Sequence, residues 1–115
     1  QNVALDGLLY PLVYERIVDE HLSARGASAV AMLTQFMSDW FDETRKWVDA
    51  VLKVAAAESE ANAAVLQEWT RNWSARAAAA MVPIVELALG AEADEAVGTQ
   101  LAAFSARIQK TGIAF

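Results

Sequence analysis

The chain has 115 residues, which suffices for one domain with one compact core and not for two. Hydrophobic residues make up 56% of it, and there are only two prolines and five glycines, so packed helices are favoured over sheet or disorder. The formal net charge is -6 without a Lys/Arg cluster, which argues against a nucleic-acid partner. The absence of cysteine excludes disulfides, cysteine-ligated zinc and thiol nucleophiles. We therefore expect a single all-α domain over residues 1–115.

Membrane and targeting signals are weak in this sequence. The longest stretch without a charged residue, Gly26 to Ser38, has 13 residues, well short of the roughly 20 needed to cross a bilayer. The sequence starts at Gln1 and runs on without the charge and cleavage pattern of a signal peptide. These features predict no membrane contact, a cytoplasmic location by default, and a chain cut from something longer.

The first predicted helix covers Val3–Ala24, with Pro11 near its middle. Proline cannot donate the backbone hydrogen bond of its turn, so we expect a kink at Pro11. Gly26 follows the last turn and is expected to end the helix.

The second predicted helix, Ser28–Ala57, carries a seam of positions at alternating steps of three and four residues. The members are Val30, Leu33, Met37, Trp40, Thr44, Trp47, Val51 and Val54. A repeat of about 3.5 residues is typical of helices that pair along a seam. The helix would be about 45 Å long, and further apolar residues widen its face, so one partner helix could not cover it.

The third predicted helix, Glu60–Leu89, has Ser59 as its N-cap and Gly90 at its end. It carries another heptad-like series: Leu66, Trp69, Trp73, Ala77, Ala80, Ile84 and Leu87. The link between the second and third helices is short and polar, so the two are predicted to form an antiparallel hairpin. Pro83 predicts a bend. A shorter fourth helix, Asp94–Lys110, has one apolar face and is expected to cap the bundle.

The four tryptophans could line a ligand pocket, because indole rings are large and carry a polar tip. Their spacing favours packing instead: Trp40 and Trp47 are seven positions apart and Trp69 and Trp73 four, so each pair lies on one helix face. We predict that the following residues form core packing or an interface: Leu33, Met37, Trp40, Trp47, Trp69 and Trp73.

The stretch VYERIVDEHL, residues 13–22, places the single histidine among carboxylates. A di-iron site in a four-helix bundle needs Glu-x-x-His from two helices, but Val18 stands three positions before His21. Glu15 lies on a different side of the helix from His21. We favour a solvated polar face over the alternative of metal binding by His21. No catalytic, cofactor-binding or metal-binding residue is expected in this chain.

Three stretches occur in one order along the chain: "QNVALDGLLYPLVYERI", "VAMLTQFMSDWFDETRKWVDAV" and "RIQKTG". In residue identity and spacing they resemble the C-terminal part of the β subunit of bacterial multicomponent phenol hydroxylases. The resemblance extends over nearly the whole chain, and the β subunits of toluene and alkene monooxygenases are similar more loosely. The family's β subunit is longer, and its N-terminal portion has no counterpart in this sequence.

The resemblance implies a ferritin-like helical subunit that has no di-iron centre of its own. It implies that a partner α subunit holds the two irons and activates O2, and that a γ subunit completes a dimer of heterotrimers. A separate reductase with FAD and a 2Fe-2S cluster would supply electrons from NADH, and a small regulatory protein would dock transiently. The implied reaction is hydroxylation of phenol or a methylphenol to a catechol.

The sequence therefore predicts a ferritin-like bundle fragment, built from a long antiparallel hairpin with flanking helices. We expect a structural, non-catalytic subunit of an NADH- and O2-dependent di-iron phenol monooxygenase. Two alternatives remain open: a stand-alone homo-oligomeric interaction module, and an enzyme in which several chains supply carboxylates to a metal. A piece of a bundle exposes apolar surface, so we also predict self-association or a need for partner helices.

Overall fold

The computed structural model describes residues 1–115, and every regular element in it is helical. In chain order the elements are α1 (Asn2–Leu9), a π-helical segment (Tyr10–Leu22), α2 (Ser28–Glu58), α3 (Glu60–Leu89), a 3₁₀ turn (Gly90–Glu92) and α4 (Ala93–Gln109). The predicted all-α fold is confirmed. The predicted helix bounds agree with the observed ones to within two residues.

The first helix changes from α to π geometry next to Pro11. In a regular α-helix the N–H at this position would donate to the carbonyl of Gly7, but proline has no N–H. The Gln100 side chain of α4 supplies the missing bond, because its Nε2 donates to the Gly7 carbonyl oxygen over 2.9 Å. Where a kink was predicted at Pro11, the structure shows a change of helix type. Gln100 of α4 donates to the Gly7 carbonyl, to which Pro11 cannot donate.

Helices α2 and α3 form the predicted antiparallel hairpin through a link of one residue. Ser59 has an extended backbone, and its side chain accepts a hydrogen bond of 3.1 Å from the Asn62 N–H, which caps α3. The longest dimension of the chain is 50 Å, close to the roughly 46 Å of one 31-residue helix. The two long helices therefore lie side by side. Gly90 ends α3 with φ 58°, a region that favours glycine.

The hydrophobic core lies among α1, the π segment, the C-terminal half of α3, and α4. Its buried members are Ala4, Leu8, Leu12, Ile17, Ala77, Met81, Val85, Leu89, Ala93, Val97, Phe104, Ile108 and Ile113. None of them belongs to α2, in which only Phe41 is buried. The seam of α2, predicted to form core packing or an interface, therefore contributes no residue to this buried set, because α1 and α4 pack against the buried side of α3.

A glycine in α1 allows the closest approach within this core. A Cβ atom added at Gly7 would lie 2.5 Å from Cδ2 of Phe104, a distance that real Cβ atoms do not show. Phe104 is almost fully buried, and its ring also meets that of Phe115 edge to face at 5.8 Å between centroids. The close contact between α1 and α4 therefore requires a residue without a side chain, glycine, at position 7.

One helical run, residues 60–109, is long and apolar enough to pass a length-and-hydropathy test for a membrane span. Gly90 interrupts this run, and the two helices on either side pack against each other. Core helices of many proteins pass the same test, so it is weak evidence for a membrane.

Candidate subunit interface

Val30 and Met32 are exposed near the N-terminus of α2. From Leu33 onward, large apolar side chains form an exposed row along one face, interrupted only between Trp40 and Trp47, which we name the α2 stripe: Leu33, Phe36, Trp40, Trp47, Val51 and Val54. Their exposed fractions range from 47% to 75%. At about 100° per residue they fall within roughly 60° around the helix, and the row is about 32 Å long. Soluble monomers rarely leave so large an apolar patch uncovered, so the α2 stripe is a candidate contact surface.

Helix α3 exposes a second apolar set, which is interrupted. Val65 and Trp69 lie in its N-terminal half, and Ile84 and Leu87 lie near its C-terminal end. Exposed polar residues separate the two pairs, among them Arg76. The surface of α3 therefore offers two small apolar patches, whereas α2 offers one long one.

The residues predicted to form packing or an interface fall into two groups. More than half exposed are Leu33, Trp40, Trp47 and Trp69. Partly buried are Met37 and Trp73. Trp73 packs against the core and carries the Arg76 guanidinium over its ring, 5.0 Å from the centroid. The four exposed residues do not belong to the core of this chain, and their role in an interface stays a prediction.

Aromatic rings of the π segment attach the middle of α2. The ring of Tyr10 stacks on that of Phe41, with centroids 4.9 Å apart and planes 2° from parallel. The same ring lies 5.6 Å from that of Trp40, a member of the α2 stripe. Burial raises the pKa of the Tyr10 phenol, and the charge of Asp6 acts in the same direction. The ring of Tyr10 therefore contacts both Phe41, the buried residue of α2, and Trp40, an exposed member of the α2 stripe.

An ion pair provides a second attachment of α2, this time to α4. Arg107 Nε donates to both carboxylate oxygens of Asp49, at 2.9 and 3.0 Å, and its Nη2 lies 2.8 Å from Asp49 Oδ1. Both side chains are largely shielded from solvent, and the guanidinium also lies 5.9 Å from the centroid of Phe41. The sequence contains no signal for this pair, because the two residues are 58 positions apart.

The residues around His21 form a polar surface. Arg16 connects two elements there, because its Nη1 is 2.9 Å from Glu20 Oε2 and its Nη2 is 2.7 Å from Glu92 Oε2, at the start of α4. An open cavity of about 410 Å³ lies beside this bridge and is lined in part by Glu15, Arg16, Glu20 and Glu92, but not by His21. No three His, Asp or Glu side chains come close enough to share a metal ion. The polar residues around His21 therefore form no cluster of three ligands within this chain.

The acidic residue Glu15 faces α2 from this polar surface. Burial raises the pKa of the Glu15 carboxyl, the nearby Asp42 of α2 raises it further, and Arg45 of α2 lowers it. An ionised Glu15 is therefore mildly unfavourable where the π segment meets α2. This contact could not be read from the local sequence, because it depends on where α2 lies.

Taken together, the fold and the exposed surfaces define a class: an all-α, ferritin-like helical domain with exposed apolar residues on its two long helices. A model of methane/phenol/alkene hydroxylases matches residues 1–59, which hold α1, the π segment and α2. The chain belongs to this methane/phenol/alkene hydroxylase family. The resemblance to phenol hydroxylases that the sequence indicated is therefore confirmed at the level of this family.

Two relatives are oxygenase components of phenol 2-monooxygenases. Component DmpL of Pseudomonas sp. (strain CF600) is 46% identical over 113 residues, which are 98% of this chain and 33% of the relative. Component MhpL of Acinetobacter pittii (strain PHEA-2) is 42% identical over 93 residues, which are 81% and 28% of the respective chains. The crystal structure of xenon-pressurized phenol hydroxylase from Pseudomonas sp. OX1 matches with a TM-score of 0.89 and 37% identity, over 99% of this chain and 34% of that one. The chain thus spans about a third of the length of these relatives.

Proposed function

We propose that this chain is part of a structural, non-catalytic β subunit in the hydroxylase of a phenol monooxygenase complex. The observation that carries the proposal is the exposure of large apolar residues on both long helices, α2 and α3. Such surfaces are typical of chains that assemble with others. The phenol 2-monooxygenase oxygenase components among the relatives support the choice of complex.

The proposed complex converts phenol or a methylphenol to a catechol. In this reaction phenol, O2, NADH and one proton give catechol, water and NAD⁺. A di-iron centre in a partner α subunit would activate O2, and a reductase with FAD and a 2Fe-2S cluster would deliver the electrons. A γ subunit, a transient regulatory protein and a dimer of heterotrimers in the cytoplasm complete the proposal.

In such a complex, this chain would support the helices of its partners and would carry no reacting groups. Its partly buried ion pair, between Arg107 and Asp49, joins α2 to α4. Its polar surface near His21 is tied together by Arg16. These groups hold the bundle in shape, and the apolar rows provide the area for assembly.

Copurification tests the proposal. A tagged version of the chain is co-expressed with a candidate α subunit that carries two Glu-x-x-His motifs. We expect the two to purify together in equal amounts, with iron that is unaffected when His21→Ala is introduced into this chain. A chain that purifies alone with stoichiometric iron or manganese, lost in His21→Ala, would overturn the proposal in favour of an enzyme with shared ligands. A folded oligomer that never binds the α subunit would favour a stand-alone interaction module.

A further inference from the structure

Three oxidisable rings lie in contact where the π segment meets α2. Between centroids, the ring of Tyr10 is 5.3 Å from that of Tyr14 and 5.6 Å from that of Trp40. Both separations fall within the roughly 4.5–7 Å range of packed aromatic pairs. Tyr14, Tyr10 and Trp40 therefore form an unbroken ring series, and the chain has no further tyrosine.

The outer end of the ring series is the indole of Trp40. It is 52% exposed, whereas both tyrosines are partly buried. The chain has no cysteine, so indole and phenol rings are the groups that one-electron oxidants attack most readily. An indole radical that is not reduced goes on to gain oxygen and becomes more polar. At Trp40 this damage would place a polar group in the α2 stripe.

A carboxylate lies beside Tyr10 and can take the proton that a phenol loses on oxidation. Asp6 stands one helical turn before Tyr10, whose backbone N–H donates to the Asp6 carbonyl oxygen. Its charge reaches the phenol, because it raises the pKa of Tyr10. Burial raises the pKa of the Asp6 carboxyl, which makes its carboxylate a stronger base. Tyr10 therefore has an electron acceptor on one side, once Trp40 is oxidised, and a proton acceptor on the other.

We propose that Tyr10 repairs Trp40 after a peroxide-derived radical has taken one electron from its indole. One electron passes from the phenol of Tyr10 to the indole radical cation, the phenol O–H bond breaks, and the proton goes to the Asp6 carboxylate. The products are intact indole, a neutral phenoxyl radical and a carboxylic acid. Tyr14 can share the radical through its ring contact. A soluble thiol then supplies one electron, and the proton returns from Asp6 to Tyr10.

The other exposed tryptophans have no such donor. Trp47 is 68% exposed and Trp69 59%, and the ring contacts of the two tyrosines are with each other, Trp40 and Phe41. Trp47 belongs to the same face of α2 as Trp40, so it is the matched comparison. The inference concerns the chain by itself and does not depend on the proposed hydroxylase.

Mass-spectrometric mapping after brief exposure to photochemically generated carbonate radical tests the repair. Trp47 and Trp69 are expected to gain oxygen while Trp40 is largely spared. Tyr10→Phe keeps the ring but not the O–H, and should raise oxidation of Trp40 several-fold without changing that of Trp47. Because each tryptophan is compared with itself between variants, the difference in exposure cancels. Equal oxidation of Trp40 with and without the Tyr10 phenol would overturn the proposal.

Electron paramagnetic resonance of the freeze-quenched chain tests the path of the electron. The unmodified chain should show a tyrosyl radical, which is lost in Tyr10→Phe and retained in Tyr14→Phe. Trp40→Phe should greatly reduce the tyrosyl signal, whereas Trp47→Phe should leave it unchanged. Asp6→Asn removes the proton acceptor and should leave more of the indole radical. A tyrosyl signal undiminished in Trp40→Phe would show that the oxidant attacks tyrosine directly, and would contradict the proposal.

Discussion

Helices α2 and α3 have nearly equal lengths, 31 and 30 residues, and both carry apolar residues at heptad spacing, yet they are buried very differently. In α3 the buried residues are Ser74, Ala77, Met81, Val85 and Leu89, whereas in α2 only Phe41 is buried. The reason is that α1 and α4 pack against the C-terminal half of α3, while α2 is held by the π segment, the hairpin and one ion pair. Periodicity thus reveals which side of a helix is apolar, but not whether its own chain covers that side.

Replacing one phenylalanine in each region should give the largest contrast. Phe104→Ala removes an almost fully buried ring from the core and should lower the free energy of unfolding by about 3–5 kcal/mol. Phe36→Ala removes an exposed ring of the α2 stripe and should change it by less than about 0.5 kcal/mol in the monomer. Urea unfolding at low protein concentration measures both. Similar losses for the two variants would mean that α2 contributes to the monomer core after all.

Two glycines should respond to the same substitution with opposite signs. Gly7→Ala places a Cβ atom 2.5 Å from the ring of Phe104, so the α1–α4 contact must shift at a cost of about 1–3 kcal/mol. Gly98→Ala adds a methyl group to an exposed site of α4 with no atom within 4 Å, and should stabilise the helix by up to about 1 kcal/mol. Thermal unfolding of both variants checks the pair. A stabilised Gly7→Ala would show that α1 and α4 can move apart freely.

Local signals in the sequence sufficed for the helices and their ends. Ser59 and Gly90 mark the bounds of α3 by capping chemistry that involves only neighbouring residues. The position of the core could not be predicted in this way, because both long helices have apolar faces. The choice between them depends on where α1 and α4 pack, which is a tertiary contact.

The polar contacts between separate helices also could not be predicted from neighbouring residues in the sequence. Gln100 donates to the Gly7 carbonyl across 93 positions of sequence, although Pro11 does predict that this carbonyl needs a donor. Glu92, which Arg16 contacts just before the start of α4, is 76 positions away and gives no such hint. The exposed tryptophans were identified as contact residues by their spacing, and that role remains a prediction until a partner is found.

Substitution of Asp49 tests how strongly its ion pair with Arg107 attaches α2 to α4. Asp49→Asn removes the charge that Arg107 contacts through three distances of 3.0 Å or less, and should lower the free energy of unfolding by about 1–2 kcal/mol. Asp39→Asn is the matched control, because Asp39 is exposed and bonded only to Gln35 of the same helix. It should change stability by a few tenths of a kcal/mol at most. Equal effects in urea unfolding would mean that the pair does not join α2 to α4 energetically.

The smallest expected effect concerns the carboxyl group that faces α2. Burial and Asp42 raise the pKa of Glu15, Asp19 and Glu20 add to this, and Arg45 opposes it. A raised pKa means that the folded chain holds this proton more tightly than the unfolded chain, for which the reference pKa is 4.5. The resulting stabilisation is fully present below the pKa of the unfolded chain and is lost as the pH rises through that of the folded chain. At neutral pH, the ionised group therefore weakens the attachment of α2.

Glu15→Gln should consequently raise the free energy of unfolding at pH 7, and the gain should disappear below about pH 4, where Glu15 itself is protonated. The gain should be only a few tenths of a kcal/mol, because Glu15 is only partly buried: more than a third of it is exposed, and solvent screens its charge. Urea unfolding at both pH values measures it, with Glu68→Gln at an exposed position of α3 as a control for the effect of the substitution itself. If Glu15→Gln were destabilising at pH 7, the attraction of Glu15 to Arg45 would outweigh its burial and the repulsion from Asp42. The π segment would then hold α2 by charge as well as by its aromatic rings.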